Sequence, residues 1–150
     1  MMLLIKAGVN VNSVTGINNV TPLLLATSKS HFRAAELLVN HGADVNIADT
    51  LGRSPLINAA ELGTLSIVDL LVRRGADINH TNSAGRSALT FGVEKGAANV
   101  VQRLVDAGCD VNLVDHIEKT ALYYAPGNWA PWNRIDEIIQ GAPGYKPRKR

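Results

Sequence analysis

Apolar residues in this chain come in short paired bursts separated by polar, glycine-bearing intervals. In one pair Leu56, Ala59 and Ala60 stand at helical spacing, and beyond Gly63 a second burst of Ile67, Val68, Leu70, Leu71 and Val72 has the same period. Ser54 followed by Pro55 predicts a helix start, because serine oxygen can accept a free backbone N–H and proline suits the first helical position, where its missing donor is not needed. Gly63 predicts the end of that first helix. The second is expected from about Ser66 to Arg74, with Gly75 as its left-handed cap. Ahead of the pair, Asp49-Thr50-Leu51-Gly52-Arg53 predicts a tight turn.

The whole unit recurs. Gly42-Ala43-Asp44-Val45-Asn46, Gly75-Ala76-Asp77-Ile78-Asn79 and Gly108-Cys109-Asp110-Val111-Asn112 are spaced by 33 residues, as are Thr21-Pro22-Leu23, Ser54-Pro55-Leu56, Ser87-Ala88-Leu89 and Thr120-Ala121-Leu122. Each helix pair carries apolar residues on too many sides to stand alone, so its faces must be buried by the units before and after it. With these two markers in register, residues 3 to 125 resemble the ankyrin-repeat family. The resemblance implies an all-α solenoid of stacked helix-turn-helix units with hairpin or turn fingers. The expected organisation is a half unit over 1–12, repeats over about 16–48, 49–81 and 82–114, a degenerate closing unit over 115–141 and a basic, disordered tail over 142–150.

Both ends depart from the repeat. Leu3, Leu4, Ile5, Gly8, Val11 and Asn12 match a second helix and its ending with no first helix before them, which leaves open a makeshift cap or a piece of a longer array. The linker Ser13 to Val20 is one residue longer than its counterparts and has Asn19 where the finger glycine belongs, so the first finger is expected to be irregular. At the far end Pro126 and Gly127 cut short the helix begun at Thr120, and Ile135, Ile138 and Ile139 form an amphipathic helix displaced by about two residues from the register. Trp129 and Trp132 are expected to fold over the end of the stack.

Composition narrows the function. A chain of 150 residues, 46% hydrophobic and with net charge +2, can bury one core and carries no strong field toward nucleic acid or a membrane surface. Part of its excess charge lies in Lys146, Arg148, Lys149 and Arg150, a solvated tail or, alternatively, a nuclear-import address. The lone Cys109 excludes an internal disulfide framework and fits a reducing compartment, and the opening Met1-Met2-Leu3-Leu4-Ile5 is too short for a signal or spanning segment. The expectation is a cytoplasmic monomer. No nucleophile-and-base set emerges from Cys109 and His31, His41, His80 and His116, and no metal-ligand spacing occurs, so neither catalysis nor a cofactor nor a metal is expected.

Residues 33 apart occupy equivalent places on neighbouring units, roughly 10 Å apart. Arg53, Arg86 and Lys119 then form a basic row after the finger turn, and Glu61 and Glu94 an acidic row near the end of the first helix. The resemblance implies that fingertips and first helices line a concave face for protein partners. On it the candidate contacts are Thr50, Leu51, Arg53, Glu61, Leu62, Ser83, Arg86, Glu94, Lys95, His116, Ile117 and Lys119. Leu51, Leu62 and Ile117 are the candidate apolar anchors. Asn58 breaks its helix pattern and, if buried, needs hydrogen-bond partners, expected from the adjoining finger backbone. Asn46, Asn79 and Asn112 resemble the setting in which some ankyrin asparagines are hydroxylated, but the plainer reading is that each orders its turn through the side-chain amide. The implied function is non-catalytic protein binding. The alternative is a structural segment of a larger array with no partner of its own.

Overall fold

The computed structural model describes residue 8 and residues 10–125 and 130–147, with side chains in the last span from Arg134 onward. Its elements are α1 (Pro22–Ser28), α2 (Phe32–Asn40), α3 (Pro55–Glu61), α4 (Leu65–Arg73), α5 (Ala88–Lys95), α6 (Ala98–Asp106), a 3-10 turn (Ala121–Tyr124) and α7 (Ala130–Gln140). In α1, α3 and α5 the predicted starts are made. Thr21 Oγ1 accepts from Leu24 N at 3.1 Å, Ser54 Oγ from Ile57 N at 3.3 Å and Ser87 Oγ from Thr90 N at 3.5 Å.

The helices form two layers. First helices α1, α3 and α5 and the 3-10 turn pack in sequence as one layer, and second helices α2, α4, α6 and α7 pack in sequence as the other. Leu23, Leu56 and Leu89 on the first layer meet Ile67, Val68, Val100 and Val101 on the second, all nearly inaccessible, in a core that continues from unit to unit. Small residues set the spacing: Ala26, Ala59 and Gly92 are equivalent positions, and a methyl on Gly92 would meet Val100 Cγ1 at 3.4 Å.

Between units lie the fingers. Asp49 N donates to Arg53 O, Asn82 N to Arg86 O and Asp115 N to Lys119 O, each enclosing three residues, and the antiparallel bridges Thr81 to Ser87 and Val114 to Thr120 flank the last two. In the first finger Thr15 and Val20 exchange both backbone bonds around Gly16 to Asn19, so the additional residue of the linker is taken up inside the loop. Asn19 has φ 54°, the left-handed conformation that Gly52 and Gly85 adopt at the equivalent places.

In the closing unit the first helix shortens to the 3-10 turn, ending before Pro126. Ile135 and Ile139 of α7 are fully buried and Ile138 packs against the same core. Trp129 lies outside the described residues, as does the side chain of Trp132. Where composition reads as a free tail, Ala142 is buried and Asn112 holds two backbone groups, donating to Gly144 O at 2.9 Å and accepting from Lys146 N at 2.8 Å.

Candidate binding face

The finger that presents each basic residue is ordered by one side chain. Asp49 Oδ1 accepts from the N–H groups of Leu51 and Arg53, Asn82 Oδ1 from Ala84 and Arg86, and Asp115 Oδ1 from Ile117 and Lys119. The fingers are also bonded to one another. Thr50 N donates to Asn18 O at 3.1 Å, Ser83 N to Leu51 O at 3.0 Å and His116 N to Ala84 O at 3.0 Å, so the tips make a continuous ledge. The ledge explains two glycines. A Cβ on Gly52 would lie 3.0 Å from Asn82 Cα, and one on Gly85 would lie 3.0 Å from Asp115 Cα and 2.7 Å from the His116 ring.

Beside the ledge the basic and acidic rows pair off. Arg53 bridges Glu61 and Arg86 bridges Glu94, each within its own unit. Arg53 Nε also donates to Asn58 Oδ1 at 3.2 Å, so the partner of that buried amide is a side chain of its own unit and not the adjoining finger backbone. One repeat later Phe91 stands in the place of Asn58, and Arg86 Nε, buried, has no hydrogen-bond partner among the described residues. Its compensation is stacking: the Arg86 guanidinium lies 4.4 Å from the Phe91 ring centre and 4.3 Å from that of Tyr124, with Arg53 6.0 Å from the Phe91 centre. Lys119 has Gly127 where the other units have glutamate, and its Nζ lies 4.5 Å from the Tyr123 ring centre.

Tyr124 is fixed in turn by donating its hydroxyl to Asp115 Oδ2. Burial works against charge on Asp115. The hydrogen bonds from Tyr124, Lys119 N and Ile117 N, with Arg86 nearby, outweigh it and hold the carboxyl below the usual range, while the same bond raises the Tyr124 phenol. A shallow cleft of about 300 Å³ opens between the two ion pairs, lined by Glu61, Arg86, Phe91, Glu94 and Lys95.

All twelve candidate contacts are exposed or half-buried. The rows anticipated as separate meet as ion pairs, and Lys95 joins them at the cleft. The column Leu25, Asn58, Phe91 and Tyr124, in which Asn58 accepts from Arg53 and Phe91 and Tyr124 stack with arginine, was not among the candidates. Its members are 33 residues apart, five places after the basic row, and of them the sequence pattern singles out only Asn58, as a break in its helix.

Among the described residues no three His, Cys, Asp or Glu side chains gather as metal ligands, and no helix is long and apolar enough to cross a membrane. Burial, with Asp110 beside it, pushes the Cys109 thiol up to about 12, away from nucleophilic use.

A family model described as ankyrin repeats, in three copies, matches residues 1–82 and 59–128. The chain belongs to the ankyrin-repeat family. Ankyrin repeats are in general protein–protein interaction modules and are typically non-enzymatic.

Proposed function

We infer that this ankyrin-repeat chain is a non-catalytic binding module whose protein partner docks on the face formed by the finger ledge and first helices. The observation that carries this reading is the row of Arg–Glu pairs stacked on Phe91 and Tyr124. Side chains that would be mobile on an isolated surface are held in place by their neighbours, so little conformational entropy remains to be lost on association. Thr50, Leu51, Leu62, Ser83, Lys95, His116, Ile117 and Lys119 surround the pairs as the remaining contacts. The compartment that fits is cytoplasmic.

The test must respect the pairing, because reversing only the arginines would set like charges against Glu61 and Glu94. Exchanging the members of each pair, Arg53→Glu with Glu61→Arg and Arg86→Glu with Glu94→Arg, keeps an attractive pair while inverting the pattern a partner meets. Circular dichroism establishes that the variant is folded. Affinity capture is expected to retain a specific protein on the unaltered chain and lose it on the exchanged one; equal retention on both overturns the assignment to this face.

A further inference from the structure

The face changes character along the stack. In the first unit Val20, Leu25 and Ser28 occupy the places held by Arg53, Asn58 and Glu61 and by Arg86, Phe91 and Glu94 in the next two. That end is apolar and open: Leu25 is 55% exposed, and the ledge brings the neighbouring fingertips, with Ile17 at 93% and Leu51 at 59%, alongside one another. Scattered exposed leucines are ordinary, but these lie on one face at one end of it.

Over the rest of the face, where Ile117 and Tyr123 are also exposed, the carboxylates are engaged and two lysines are left without an ion pair among the described residues. Glu61 and Glu94 are engaged by Arg53 and Arg86, Asp49 accepts the N–H groups of its own finger, Asp115 does so and also accepts from Tyr124, and Glu118 is likewise engaged. Lys95 at the cleft and Lys119 over Tyr123 make no ion pair among the described residues, and Lys29, just after α1, holds the place of Lys95 in the first unit. An arriving carboxylate therefore finds lysines to pair with, whereas an arriving cation finds carboxylates already committed.

Resting on the protein-binding reading above, the geometry points to a partner of definite chemistry: an extended acidic segment that seats an apolar side chain at Leu25, Ile17 and Leu51 and sets carboxylates toward Lys95 and Lys119. The dimensions fit. Equivalent places on neighbouring units are roughly 10 Å apart, which an extended chain covers in about three residues, and the path from Val20 to Lys119 takes about nine. The partner's signature is one large aliphatic or aromatic residue followed or preceded by Asp or Glu at about three-residue steps.

The test is a displayed library of random peptides of about 16 residues, long enough to cross the face in extended form, selected on the intact chain and then synthesised for titration. The expected consensus has the apolar anchor and spaced acids, binding weakens with salt, and affinity falls at least about tenfold in Leu25→Ser and in Lys95→Glu/Lys119→Glu. Circular dichroism is the control for folding. Peptides that respond to the Arg–Glu exchange but show no acidic preference and ignore both variants overturn this proposal while leaving the binding face in place. Peptides indifferent to every substitution on the face, or a library yielding no binder, overturn the proposal and the reading beneath it. Self-association of the chain in sedimentation, lost in Leu25→Ser, overturns it by assigning the apolar end to a second copy.

Discussion

Gly85 and Ser30 show how one backbone conformation can be cheap or costly according to what surrounds it. Gly85, at φ 77°, lies under the next finger, so a methyl group adds a contact of 3.0 Å with backbone to the left-handed strain. Gly85→Ala is expected to lower unfolding free energy by roughly 2 kcal/mol or more in urea titration. Ser30 stands where Gly63 and Gly96 end the later first helices, and holds φ 55° with a side chain attached. Ser30→Gly should therefore raise stability, by about 0.5–1 kcal/mol in the same titration. Asp115 supplies a pH dependence. Its carboxyl is held below its ordinary value in the folded chain, so its contribution is present above the unfolded value of roughly 4 and is lost as pH falls through the folded one. Asp115→Asn keeps an oxygen for the finger turn, as Asn82 does, and should flatten the acid limb of a stability–pH profile without changing its neutral plateau by as much as a backbone clash would.

The elements are joined by a second column whose role differs from the turn ordering expected of it. Asn12 Oδ1 accepts from Asp44 N at 2.8 Å, Asn46 from Asp77 N at 2.7 Å and Asn79 from Asp110 N at 2.8 Å, and the amides of Asn12 and Asn46 also donate to Gly42 O and Gly75 O. Each asparagine thus ties the loop after one second helix to the loop after the next, holding backbone groups just beyond that helix's cap. Asn46→Ala leaves those groups to water and is expected to cost about 1–2 kcal/mol, read as a lower urea midpoint with little change in helicity. The second helices are tied across units as well. Arg103 donates to Asp69 at 2.9 Å, and that bond, with Arg73 alongside, keeps the Asp69 carboxyl below its usual range despite desolvation.

Across the whole molecule, stability is shared only between neighbours, so damage at one end should stay there. Residues 142–146 close the last unit through Ala142 and the two hydrogen bonds to Asn112. Truncation after Gly141 should raise amide exchange in α7 and the 3-10 turn while α1 and α2 keep their protection. Uniform loss of protection along the stack would show instead that the units unfold together.

Periodicity made the fold legible, because a unit that cannot bury its own faces must stack, and spacing alone reveals the unit. The starts at Thr21, Ser54 and Ser87, the irregular first finger and the shifted isoleucines of the last helix were all readable, each depending on local backbone chemistry. The binding face was legible only as columns. Whether Arg53 and Arg86 project as free charges or fold back onto Glu61 and Glu94 depends on contacts eight residues apart in sequence, and whether Phe91 is core or a stacking platform depends on the next unit's Tyr124. Sequence determined the repeat, its register and which residues share a face. Tertiary structure decided which of those side chains neutralise one another, because side-chain pairing across a turn and between units is set by distances that a one-dimensional period does not contain.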